Sequence, residues 1–160
     1  MINLIGIGQS LRGDDGAGLA AVRLWRENPG GSWHPNLHIE LVESPGVGLL
    51  NLLEGADSAI LVDAVRSGAK PGTLYKLSEN DLMAFLDGTD SAHGWGIAET
   101  LVLGRKLGLE GLPQKIVIIG IEAGKVGMGV GLSPEVVAAL PDAVRLISET
   151  LNQFPISPQE

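Results

Sequence analysis

Three runs of apolar residues constrain the fold of this 160-residue chain more than anything else in it. Residues 4–7, 59–65 and 115–121 are apolar at consecutive positions rather than at every second one, the mark of strands covered on both faces, as in a parallel sheet with helices above and below. Segments with helical signatures lie between them. Ala17–Glu27 is rich in Ala, Leu and Arg and stops at Asn28-Pro29-Gly30-Gly31. Residues 96–107 carry Ile97, Leu101 and Leu107 as apolar positions. Ser133-Pro134 supplies an N-cap and a first-turn proline for a last helix, with Val137, Leu140, Val144, Ile147 and Leu151 on one face and Pro141 predicting a kink. Residues 38–42 alternate as a strand, 46–54 and 79–86 read as short helices, and 73–77 reads as a peripheral strand after the Lys70-Pro71-Gly72 turn. The run 115–121 is the most apolar and reads as a central strand. Strands alternating with helices predict an α/β fold: a three-layer α/β/α sandwich around a mostly parallel, twisted sheet. One domain over residues 1–153 is expected, with a frayed tail at 154–160.

Composition removes several chemistries. There is no cysteine, so disulfides, zinc–thiolate sites, iron–sulfur clusters and a thiol nucleophile are excluded in this chain. Eleven Lys and Arg against nineteen Asp and Glu give a net charge of −8, and the cations are scattered, which argues against nucleic acid and anionic lipid as partners. The sequence opens on Ile2-Asn3-Leu4-Ile5 with no basic leader, and no apolar stretch approaches ~18 residues, so a soluble cytoplasmic protein without membrane contact is expected.

In an open α/β sheet ligands gather outside the carboxyl ends of the strands, so polar residues there carry the chemistry. Asp14 and Asp15 follow the first strand, Asp63 interrupts the apolar run 59–65, and His93 sits between Ala92 and Gly94 just before a helix. One aspartate of the first pair reads as the N-cap of the helix after it, which leaves the other free to bind a cation or move a proton. Asp63 is either a turn-capping residue or a functional carboxylate at a strand end, and His93 is either a loop histidine or a ligand. His34 and His38 have no comparable setting. Together the free aspartate of the first pair, Asp63 and His93 would make a mixed oxygen and nitrogen site for a borderline divalent metal, though separations of 48 and 30 residues are too long for a local ligand motif. Gly6-Ile7-Gly8-Gln9-Ser10-Leu11 begins like a dinucleotide fingerprint but has Leu11 where Gly or Ala is needed, and the acidic pair stands where a pyrophosphate would. Nucleophile-elbow, His-Glu-x-x-His and phosphate-loop motifs are absent.

The run Gly6-Ile7-Gly8-Gln9-Ser10-Leu11-Arg12-Gly13-Asp14-Asp15-Gly16-Ala17-Gly18 resembles the opening signature of the [NiFe]-hydrogenase maturation endopeptidases, G-x-G-N-x-L-x-x-D-D/E-x-x-G. Three further segments look like the same family in the same order: Ala59-Ile60-Leu61-Val62-Asp63-Ala64-Val65 with Pro71-Gly72-Thr73, then Ser91-Ala92-His93-Gly94-Trp95-Gly96, then Gly131-Leu132-Ser133-Pro134-Glu135-Val136. The resemblance implies a peptidase that removes a C-terminal extension from the precursor of the hydrogenase large subunit after nickel insertion. By position Asp15, Asp63 and His93 correspond to the family's metal-binding carboxylate, second carboxylate and histidine, with Asp63 as ligand or general base. Asp14 is implied as a supporting or helix-capping residue. The nickel is implied to come with the substrate, so no organic cofactor is required. A monomer is expected, and Trp95 is either a docking anchor for the precursor or core packing.

Two features depart from the family pattern. Gln9 replaces Asn and adds a methylene to an amide in the first loop, and the segment 122–130 is richer in glycine than the family's loop, which bears on which hydrogenase is the partner. Two other functions stand beside this one: a nickel-sensing or chaperone-like protein that binds the precursor through the same residues without cutting it, and a small-molecule or nucleotide-binding α/β enzyme, which rests on the fold and the incomplete Gly6-x-Gly8 turn.

Overall fold

The computed structural model describes residues 1–28, 34–87 and 96–155, with backbone alone at 85–87. Five strands form one sheet in the order β2-β1-β3-β5-β4: β1 (Ile2–Gly8), β2 (Leu37–Glu43), β3 (Ser58–Val65), β4 (Leu74–Ser78) and β5 (Lys115–Glu122). β2, β1, β3 and β5 are mutually parallel, and β4 runs antiparallel against β5 at the edge. The expected mostly parallel α/β sandwich is what forms. The run expected to be central, β5, has a neighbour on each side, but the middle strand is β3. Both are buried on both faces, so apolar content alone cannot rank them.

Alternation along each strand builds two cores. Leu4, Ile60, Val62, Ile119 and Ile121 point to one face, where α1 (Ala17–Glu27) and α5 (Pro134–Leu151) cover them with Val22, Trp25, Ala143 and Ile147. Ile5, Ile7, Leu61, Val65 and Ile118 point to the other, under α2 (Leu49–Leu53), α3 (Glu79–Asp87) and α4 (Gly96–Lys106). The indole of Trp25 ties the first pair of helices by donating from Nε1 to Ser148 Oγ at 2.9 Å. Among the described residues no helix is long and apolar enough to cross a membrane.

Two sequence expectations change in α5 and beyond it. Val137, expected on the buried face, is 51% exposed, while Val136 is buried. Pro141, expected to kink α5, lies exposed inside the helix, where it has no N–H to offer the Val137 carbonyl. Phe154, expected in a frayed tail, is buried in the α1/α5 core with the Lys115 ammonium 4.6 Å from its ring centroid. Residues 156–160 lie outside the described residues.

Candidate active site

The chain leaves β1 toward β2 on one side of the sheet and returns through β3 on the other, so the sheet order reverses between β1 and β3. Their carboxyl ends therefore part into a crevice, the usual ligand position of an open α/β sheet. A cleft of about 200 Å³ opens there, lined among others by Gly8, Asp15, Ser44, Asp63, Gly96 and Thr100. Topology thus brings together two carboxylates 48 residues apart.

Two glycines of the first loop make this possible by close approach. A Cβ on Gly8 would lie 2.1 Å from the Asp15 carbonyl oxygen, because the loop folds back over the strand end and Gln9 N–H donates to that carbonyl at 3.2 Å. A Cβ on Gly18 would lie 2.3 Å from the Val62 carbonyl oxygen and 2.4 Å from that of Ile7. The missing side chain lets the first turn of α1 sit on β1 and β3, with Asp15 just before it and Asp63 just beside it.

The neighbouring aspartates have opposite fates because the 3-10 turn Gly13–Gly16 points them in different directions. Asp14 is fully buried. Its Oδ2 accepts the backbone N–H of Gly124 and of Lys125, each at 2.8 Å, and the Ser133 hydroxyl at 2.7 Å; its Oδ1 accepts the Ser133 N–H at 2.6 Å. Burial alone would raise this carboxyl, but donors from Lys125, Ser133 and Gly124 outweigh it and hold it below the usual carboxylate range. The expected N-cap role is thus corrected: the cap of α1 is Gly16 with no side-chain bond, and Asp14 instead ties the glycine-rich loop and the residue before α5. Ser133 stands at the expected cap position, but its hydroxyl goes to Asp14.

Asp15 faces the cleft. Burial raises its carboxyl, and the guanidinium groups of Arg12 and Arg66 work against that rise. Asp63 lies near the end of β3 on the α2/α4 face, in alternation with Leu61 and Val65, and its Oδ1 accepts the Ala64 N–H at 2.8 Å. Its carboxyl is pushed well above the ordinary range, first by burial and then by the negative charge of Asp15, with the Ala64 bond opposing. Two acids in one cleft repel each other, and the upward shift is greater for the one in the more apolar setting.

His93 and Trp95 lie outside the described residues. Gly96, which follows them, lines the cleft. Among the described residues no three His, Cys, Asp or Glu side chains stand together as a metal cluster. His34 and His38 flank the start of β2, at the opposite end of the sheet, where His38 Nε2 pairs with Glu40 at 2.8 Å.

Sequence reasoning missed three polar positions. Ser44 has a positive φ of 45°, and Gln9 donates its side-chain amide to the Ser44 hydroxyl, so the residue that departs from the family pattern braces one wall of the cleft. Thr100 lines the opposite wall from α4, with no signal in a helical pattern. Glu122, 1% exposed at the end of β5, accepts the N–H groups of Ser67 and Ala69, both at 2.9 Å, and thereby holds the loop that carries Arg66.

Similarity to known proteins fits this geometry. The family model of hydrogenase maturation proteases matches residues 44–150, more than half of the chain. The chain belongs to that family. A hydrogenase expression/formation protein HupD of Thiocapsa roseopersicina is 28% identical over 96% of this chain and 68% of its own length. The hydrogenase 2 maturation protease of Escherichia coli is 24% identical over 95% and 91%. Among solved structures, the hydrogenase maturating endopeptidase HybD from E. coli superposes with a TM-score of 0.77 at 25% identity, covering 95% of this chain and 92% of that one. The [NiFe] hydrogenase maturation protease HybD from Thermococcus kodakarensis gives 0.74 at 28% identity, covering 94% and 98%. This hydrogenase maturation protease has its cleft where the sheet order reverses, and the family model, which starts at residue 44, covers Asp63 and the 88–95 segment but not the Asp14–Asp15 loop.

Proposed function

We propose that this maturation protease removes a C-terminal extension from a hydrogenase large-subunit precursor once nickel is in place, and that Asp15, Asp63 and His93 read that nickel as part of the substrate. The observation that supports this is the strained pair of carboxylates in the cleft. Ionising both members of the pair is unfavourable, because burial and the negative charge of Asp15 each push the Asp63 carboxyl up. A dication presented by the substrate favours the doubly ionised pair, so the cleft gains a competent carboxylate only when a metal-loaded precursor is bound. Two hard oxygen donors and one imidazole suit a borderline ion held mainly by softer ligands of the substrate itself.

Asp63 is then the group that moves the proton. Water adds to the scissile carbonyl carbon, its proton passes to the ionised Asp63 carboxylate, and the same proton is returned to the leaving amine as the C–N bond breaks. Asp15, which two guanidiniums keep nearer its charged form, faces the metal-bearing segment of the precursor. No organic cofactor takes part.

Intact mass spectrometry tests this directly, using nickel-loaded and nickel-free precursor with the unmodified protein and with His93→Ala. Loss of a C-terminal peptide is expected only from the loaded precursor with the unmodified protein. Release from the nickel-free form would sink the metal checkpoint, and binding without release would assign the protein to sensing rather than cutting.

A further inference from the structure

The glycine-rich loop after β5 and the first loop after β1 are joined into one rigid ridge beside the cleft. Arg12 and Gly129 form an isolated parallel bridge, with Gly13 N–H donating to the Gly129 carbonyl at 2.9 Å and Gly129 N–H to the Leu11 carbonyl at 3.0 Å. Asp14 N–H donates to the Lys125 carbonyl at 2.9 Å, and the buried Asp14 carboxylate clamps the other side of the same loop. A loop held this firmly has the means to hide its apolar side chains, yet Leu11 is 62%, Val130 82% and Met128 91% exposed. Large apolar side chains fixed in water on a built ridge mark an interaction surface. The fold gains nothing from them.

Charge says what kind of partner fits. Arg12 and Lys125 are exposed on this ridge and neither has an ion pair among the described residues, in a chain whose net charge is −8. An acidic protein that sets two exposed cations without ion pairs among three exposed apolar side chains complements a partner segment that carries carboxylates next to apolar residues. A second copy of this chain, itself acidic, and an anionic membrane are each repelled by the charge of the remaining surface.

We infer that the ridge formed by Leu11, Arg12, Lys125, Met128 and Val130 is the docking surface for an acidic, apolar segment of the large-subunit precursor, and that the 124–130 loop selects which precursor is accepted. This rests on the proposed function for the identity of the partner. It also gives a use to the segment where the sequence departs from the family pattern, since a loop that contacts the partner has to change with it.

The test measures binding to the precursor separately from cleavage. The unmodified protein, a Met128→Ser/Val130→Ser double variant and Lys125→Glu are titrated against immobilised precursor at two salt concentrations, with melting temperature and sedimentation recorded for each. The inference expects unchanged melting temperatures, binding weakened about tenfold or more in both variants, and a weaker salt dependence for Lys125→Glu. If the unmodified protein binds but does not cut, the peptidase reading fails while the loss in the variants still supports docking. Equal binding by all three proteins overturns the docking surface, as does absence of binding by the unmodified protein. A dimer of the unmodified protein that Met128→Ser/Val130→Ser dissolves would assign the ridge to a second copy and overturn it too.

Discussion

Replacing Asp14 by Asn separates a structural carboxylate from a chemical one at adjacent positions. Four donors converge on Asp14 within 2.6–2.8 Å. Hydrogen bonds to a charged group contribute about 1.5–3 kcal/mol each, but the exposed loop lets water satisfy some of the freed N–H groups, so the sum is not reached. An amide keeps one oxygen, and in either orientation its NH₂ faces a backbone N–H, of Ser133 or of Gly124 and Lys125. A cost of about 2–4 kcal/mol follows, of the same order as breaking a buried ion pair. At roughly 2–4 °C per kcal/mol for a chain of this size, the melting temperature should fall by about 10 °C. The sign of the pH effect is fixed by the direction of the shift. The folded carboxyl titrates below the unfolded one, so its stabilisation is present above the ordinary value of 3.8 and is lost as pH falls through the folded value. Urea midpoints of Asp14→Asn and the unmodified protein should therefore differ at pH 7 and approach each other in acid. Asp14→Asn should still release the extension when assayed below its own melting temperature. A midpoint within about 0.5 kcal/mol of the unmodified protein together with complete loss of processing would refute the assignment, and would place Asp14 in the cleft chemistry.

Asp63→Asn should act with the opposite sign. The folded Asp63 carboxyl titrates well above the unfolded value of 3.8, so its favourable contribution is full below that value and is lost as pH rises through the folded one. The variant should thus have the higher urea midpoint at pH 7 and converge with the unmodified protein near pH 4, while releasing no peptide; a midpoint difference independent of pH would contradict the buried-pair account. Gly18→Ala should destabilise by about 3 kcal/mol or more, because its Cβ meets the Val62 and Ile7 carbonyls and the Asp63 Cα rather than a movable side chain. Thermal denaturation checks this, and a melting temperature near that of the unmodified protein would show that α1 can lift from the sheet.

Apolar runs made the strands legible, and breaker clusters such as Asn28-Pro29-Gly30-Gly31 marked the helix ends, because these signals are local. The parallel sheet followed from runs that are apolar at consecutive rather than alternate positions. The site was legible only in pieces. Nothing in the spacing of Asp15 and Asp63 says that they meet; the reversal of sheet order between β1 and β3 says it, and that is a property of the whole topology. The division of labour between Asp14 and Asp15 was hidden because it depends on donors from residues 124, 125 and 133, more than a hundred positions away. Glu122 reads in the sequence as the polar end of a strand, and its burial depends on Ser67 and Ala69, which a linear reading has no reason to bring near.

On the proposed reading, a cleft built from two acids stays silent until a substrate brings positive charge into it. Asp15 and Asp63 share one cavity, but Arg12 and Arg66 oppose the rise of the first while nothing cationic is among the influences on the second. Their difference is set by the fold: one residue sits on a loop within reach of two guanidiniums, the other on a strand between Leu61 and Val65. A pair so arranged is least comfortable when both groups are charged, and on the proposed reading that is the state that cutting needs. Whatever supplies positive charge to the cleft therefore stabilises the fold and equips it for catalysis in the same step. Asp63→Asn removes the repulsion together with the carboxylate, which is why that variant is expected to be more stable at neutral pH and, on the proposed reading, inert.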